Sequence, residues 1–152
     1  MGLLRIFLRF AAGLYYQAPF FKELRDTSTV NGILAQRLVR RLDKTVATPF
    51  AAMPEVVKEY KLDTFTDERP IQLYKPGSSA ANPTGYFGRT TIMEFLVMSD
   101  AIRRLIMQHA GMGEIEEQAR KEGMRTMFED GLVKSLQGHT TIEEVLRVTS
   151  SE

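Results

Sequence analysis

Pro83-Thr84-Gly85-Tyr86-Phe87-Gly88-Arg89-Thr90-Thr91-Ile92-Met93-Glu94 is the stretch on which the reading of this chain turns. Two glycines stand three apart around aromatic residues, which points to backbone bends or close approaches that a side chain would block. Thr90, Thr91, Ile92, Phe95 and Val97 then suit a buried strand, interrupted by one carboxylate, Glu94. Upstream, Ile71 to Tyr74 reads as a short strand and Pro76-Gly77-Ser78-Ser79 as a turn, so the two strands are expected to form a small antiparallel pair.

Helical signals dominate the flanks. Ile33, Leu34, Leu38 and Leu42, with Val39 beside them, make an apolar stripe at helical spacing, so residues 31–42 are expected to be a helix with Arg37, Arg40 and Arg41 elsewhere on its surface. Thr48-Pro49 breaks the chain, and Pro54 suits the first turn of a short helix through Tyr60. Asp63 to Pro70 is polar loop. Ser99 is a natural N-cap, with Ile102, Leu105, Ile106 and His109 on one face of the helix behind it. Further helices are expected over 113–121, stopped by Gly123, and over 126–137, ended by Gly138. The last begins at Thr140 or Thr141, with Glu143 or Glu144 at capping-box spacing.

Residues 1–22 read as an apolar, aromatic helix with Leu3, Phe7, Phe10 and Leu14 on one face. A buried helix or an altered start is favoured over an amphipathic membrane or partner helix. The expected fold class is α+β and mostly helical, with a small two-stranded antiparallel subdomain followed by a C-terminal bundle of short helices. The expected organisation is a divergent apolar segment over 1–28, a helix plus small subdomain over 29–98, and a helical subdomain over 99–152.

Composition narrows the function classes. A formal charge of +1 does not announce a nucleic-acid binder, so a role for Arg37, Arg40 and Arg41 on DNA is the weakest reading. The absence of cysteine removes disulfides, thiol catalysis and thiolate metal sites, and fits a reducing compartment. Arg5 and Arg9 interrupt the most apolar stretch, Leu3 to Phe21, and each charge at membrane depth costs roughly 2.5–3.5 kcal/mol. His109 and His139 stand apart, without an ordered carboxylate shell for metal or general-base work. Glu114, Glu116 and Glu117 read as a solvated helix face. Met93, Met98, Met107, Met112, Met124 and Met127 read as flexible core filling.

Thr84-Gly85-Tyr86-Phe87-Gly88-Arg89, followed by Ile92-Met93-Glu94-Phe95-Leu96, resembles the C-terminal region of the type II secretion and type IV pilus assembly ATPases. Ala35-Gln36-Arg37-Leu38-Val39-Arg40-Arg41-Leu42 is similar to the Ala-Gln-Arg-Leu-x-Arg-x-Leu helix of that family. Glu122 to Met127, Glu129 to Leu132 and Gly138 to Thr149 resemble its helical tail, so the resemblance runs from about residue 31 to 149. It makes Gln36, Arg37, Arg40, Gly85, Tyr86, Gly88, Arg89 and Glu94 family-signature residues and candidates for subunit contact. Intrachain pairing is the competing reading for the arginines, for instance Arg89 with Glu94. Asp100 to Ile106 resembles, more loosely, an Ala-Ile-Arg-Asn-Leu-Ile-Arg motif of the pilus retraction ATPases.

The resemblance implies a cytoplasmic protein, peripheral to the inner membrane, whose full-length form is a hexamer that uses ATP and magnesium to drive secretion or pilus assembly on a membrane platform. Two features of the family are missing here. No Gly-x-x-x-x-Gly-Lys-Ser/Thr loop occurs, so neither catalytic nor nucleotide-binding residues are expected on this chain, which reads as a C-terminal piece with a structural, oligomer-forming role. The cysteines that bind a structural zinc in relatives correspond to Asp43, Val46, Ser78 and Ala81, so zinc is expected to be absent. The alternative is a stand-alone interaction module that docks on a full-length ATPase or a membrane.

Overall fold

The computed structural model describes residues 30–150, so the expected helix over residues 1–22 and the 1–28 segment lie outside the described residues. The elements in order are β1 (Gly32–Leu42), β2 (Thr48–Ala51), α1 (Pro54–Tyr60), a 3-10 turn (Leu62–Thr64), β3 (Gln72–Lys75), β4 (Tyr86–Val97), α2 (Asp100–Met107), α3 (Met112–Lys121), α4 (Met127–Leu136) and α5 (Ile142–Thr149). The fold is α+β: short helices accompany two separate two-stranded sheets, β1–β4 and β2–β3. Asp43 N–H donates to Gly85 O at one end of the first sheet and Met98 N–H to Asn31 O at the other, so β1 and β4 run antiparallel.

The segment expected to be a helix, 31–42, is the strand β1. Leu34, Leu38 and Leu42 do repeat at helical spacing, and Leu, Gln and Arg are good helix formers. The pairing offered by β4 overrides that preference, because a strand's worth is set by its neighbours more than by its own residues. Leu38 is accordingly 47% exposed, while Val39 and Leu42 are buried. The expected partnership of β3 with β4 is also replaced. β3 pairs with β2 in the register Thr48↔Lys75 to Ala51↔Gln72, and Pro49, which hid that strand in the sequence, sits opposite Tyr74. A two-stranded ribbon tolerates proline where its missing N–H faces outward.

Local signals in the helical half are realised. Pro54 opens α1, and Ser99 Oγ accepts from Ile102 N–H at the start of α2. Gly123 (φ +96°) follows α3, where a side chain would be strained. His109 leaves the expected face, lying beyond the end of α2 with φ +57° and exposed.

Contacts group the described residues into two units. One comprises 30–36 and 94–126, the other 37–93 and 127–150, so each long strand contributes residues to both. In the first unit Leu96, Met98, Ile102, Ile106, Ile115 and Ala119 form the core, with Val30, Ile33 and Met124 against it. In the second, Leu62, Ile71, Leu73, Leu132 and Ile142 form one cluster and Val39, Ile92 and Val145 another. Helices α4 and α5 pack closely there: a Cβ on Gly131 would lie 2.5 Å from Val145 Cγ1. Leu73 and Tyr60 fill the small subdomain, whereas Phe50 on β2 is 39% exposed. Of the methionines, Met98 is buried and Met124 and Met127 pack on cores. Met93, Met107 and Met112 are exposed, contrary to the core-filling expectation.

Candidate functional site

Three signature stretches that lie far apart in sequence converge in the second unit on one buried carboxylate. Thr141 caps α5 through its Oγ1, which accepts from Glu144 N–H at 3.3 Å. In a capping box the glutamate would reach back to the cap backbone. Here Glu144 turns to arginines instead. Its Oε1 accepts from Arg40 Nη2 at 2.6 Å and Arg147 Nε at 3.0 Å. Its Oε2 accepts from Arg147 Nη2 at 2.9 Å and the Arg40 backbone N–H at 3.1 Å. Glu144 is 2% exposed, whereas the Arg40 and Arg147 side chains are about half exposed, at 51% and 56%.

Burial alone would raise the Glu144 carboxyl. Hydrogen bonds from Arg147 and Arg40 outweigh it and hold the group at about 2, against an ordinary 4.5. The carboxylate is therefore charged throughout the physiological range, and its charge is spread over two planar guanidinium forks.

The third stretch enters through Tyr86, the first residue of β4. The Arg40 guanidinium lies over the Tyr86 ring, 4.2 Å from its centre, and the Tyr86 and Thr141 hydroxyls share a 3.2 Å hydrogen bond. Thr140 Oγ1 donates to Arg40 O at 2.8 Å, and Arg37 Nη1 donates to Val148 O. The clamp thus ties β1, β4 and α5 together. It holds no nucleophile and no base near neutral pH, so its chemistry is cohesion and presentation of two arginine edges.

The other expected site residues are spread more widely. Gly85 (φ +70°) is buried against Gly77: a Cβ on it would lie 2.1 Å from Gly77 O. Gly88 (φ +70°) is exposed beside the Arg41 guanidinium, which donates through Nε to Phe87 O. Arg89 is exposed and forms no ion pair with a described residue. Gln36 and Glu94 belong to the first unit, where Glu94 lines a shallow groove with Ile33, Leu96 and Ile115. Glu144, Thr141 and Arg147 were not singled out as site residues. The Thr-x-x-Glu spacing is visible in the sequence, but the diversion of its glutamate to Arg40 is not. His139 is pushed down by burial, then by Lys44, Lys134 and Arg41.

The positions that correspond to zinc ligands in relatives do not fit that metal. Val46 and Ala81 have no donor atom, Ser78 is exposed and offers only a neutral hydroxyl, and both Asp43 oxygens accept protein hydrogen bonds. Among the described residues, no group of three or more His, Asp or Glu is placed to hold a metal.

Comparison with known proteins matches the same stretches. The family model described as type II/IV secretion system protein covers residues 21–147. The chain is 63% identical over 123 residues to type II secretion system protein E of Xanthomonas campestris pv. campestris, covering 81% of this chain and 22% of that protein. It is 43% identical over 119 residues to the type IV pilus assembly ATPase PilB of Thermus thermophilus, covering 78% of this chain and 13% of that protein. It is 40% identical over 124 residues to type II secretion system ATPase E of Vibrio cholerae, covering 81% and 24%. The chain spans between about an eighth and a quarter of the length of these relatives. No helix among the described residues is long and apolar enough to cross a membrane. With the family match running over most of its length, the chain belongs to the type II secretion and type IV pilus ATPase family.

Proposed function

We propose that this chain is the C-terminal portion of a type II secretion ATPase, contributing structure and subunit contacts while phosphoryl transfer is carried by other parts of the full-length enzyme. The carrying observation is the 63% identity to a type II secretion system protein E, together with the lack of any phosphate-binding loop in the 152 residues. The full-length protein would be a hexamer using ATP and magnesium, cytoplasmic and peripheral to the inner-membrane platform of the secretion machinery. The half-exposed edges of Arg40 and Arg147, held flat by Glu144 and Tyr86, suit contacts with acidic groups of a neighbouring subunit.

Titration of the purified chain with a fluorescent ATP analogue and magnesium tests this reading. No saturable binding is expected; tight binding with turnover overturns it. A second reading, a stand-alone module docking on a full-length subunit, draws on the apolar sequence Leu3 to Phe21. Co-purification with a full-length relative that is lost on deleting residues 1–28 supports this module, whereas association independent of those residues favours the first reading.

A further inference from the structure

We propose that loops 43–47 and 77–85 are closed by a metal-free latch, in which the Asp43 carboxylate and the Asn82 carboxamide form the cross-link and Asn82 positions Tyr86 beneath Arg40.

Asp43 Oδ1 accepts from Thr45 N–H at 3.0 Å and Thr45 Oγ1 at 2.6 Å, which fixes the first loop on its own carboxylate. Asp43 Oδ2 accepts from Asn82 Nδ2 at 2.9 Å, a contact between residues 39 apart in sequence. The same Asn82 Nδ2 donates to Tyr86 O at 3.2 Å, while Asn82 Oδ1 accepts from Thr84 Oγ1 at 3.0 Å. Asn82 thus has both ends of its amide engaged, one holding Asp43 and the start of β4, the other the intervening turn. Backbone contacts complete the closure: Asp43 N–H donates to Gly85 O at 3.0 Å, and Ser79 and Asn82 exchange backbone bonds. Gly77 meets Val46 so closely that a Cβ there would lie 1.9 Å from Val46 O.

The two loops that a zinc ion would have to bridge are therefore already in contact, joined by one carboxylate–amide bond. Such a link differs from a metal in how it fails. It is indifferent to chelators and open to acid, because Asp43 must stay ionised to accept all three hydrogen bonds. Its consequence for the clamp is geometric. Tyr86 carries the Arg40 guanidinium on its ring, and its carbonyl is tied to Asn82, so release of Asn82 loosens the seat of Arg40.

Metal content and melting of the full chain test the first half. Far less than one zinc per chain is expected, with a melting temperature unchanged by EDTA or added zinc. Stoichiometric zinc, or a melting temperature lowered by EDTA, overturns the latch. NMR titration tests the second half. The Asn82 side-chain amide should shift with a midpoint below the ordinary carboxylate range; an amide indifferent to acid overturns the contact. Asn82→Asp places two carboxylates against each other, so one should titrate above the ordinary range and the Tyr86 ring resonances should move. Two ordinary carboxyl titrations with unmoved Tyr86 resonances in that variant overturn the positioning role.

Discussion

Glu144 and Asp43 are two carboxylates with lowered pKa values in the same unit, and they teach different things. Glu144 is sealed at 2% exposure and answered by two guanidiniums. Asp43 is half-buried and answered by neutral donors, first the Thr45 hydroxyl, then the Asn82 amide and the Thr45 backbone. A buried charge is costly to strand, so its removal propagates; a charge near water can be rehydrated when its partners leave. The clamp should therefore behave as a keystone of the unit and the latch as a local fastener.

The harshest way to break this contrast is Glu144→Ala. It removes the buried acceptor of four hydrogen bonds and leaves the Arg40 backbone N–H without that partner, while the half-exposed guanidiniums of Arg40 and Arg147 can rehydrate, so a loss of about 1.5–3 kcal/mol is expected by chemical denaturation. A loss under about 1 kcal/mol would place the clamp in the same class as the latch.

Acid titration sharpens the contrast next. The folded pKa of Glu144, about 2, lies below its ordinary 4.5, so its contribution is complete above about 4.5 and fades as pH falls towards 2. At about 1.4 kcal/mol per pH unit, the full effect is about 3 kcal/mol. Asp43 is also depressed, so its contribution likewise exists above the ordinary carboxylate range and disappears on acidification. Denaturation midpoints measured from pH 7 to pH 3 should fall in the parent chain and far less in Glu144→Gln.

Arg40→Lys should have a smaller effect. It keeps a charge near Glu144 but loses the flat stack on Tyr86, so about 0.5–1 kcal/mol is expected from the denaturation midpoint. Glu116→Gln is the control. Its pair with Arg120 is an exposed i,i+4 contact on α3, and no more than about 0.3–0.5 kcal/mol should be lost. A control effect as large as that of Arg40→Lys would remove the distinction between clamp and surface pair.

Legibility in the sequence followed the range of the interaction. Pro54, the Ser99 cap, the Gly123 stop and a cap at Thr140 or Thr141, which proves to be Thr141, were readable because each is decided within a few neighbouring residues, and strand 86–97 was readable from its β-branched and aromatic run. The signature residues also marked the family. Residues 31–42 misled because Leu34, Leu38 and Leu42 satisfy a helical period as well as a strand can use them, and only β4 decides between the two. β2 was hidden by Pro49 until its partner β3 was in place.

The candidate site divided in the same way. Sequence alone determined that Arg40, Tyr86 and a Thr-x-x-Glu cap exist, and that no phosphate loop or cysteine accompanies them. Only the tertiary structure decided that the Glu144 side chain, 104 residues from Arg40, binds two arginines instead of closing a capping box, and that Asn82 reaches Asp43. The physical reason is that a cap needs one turn of helix, whereas a buried ion pair needs the folded unit to exclude water around it.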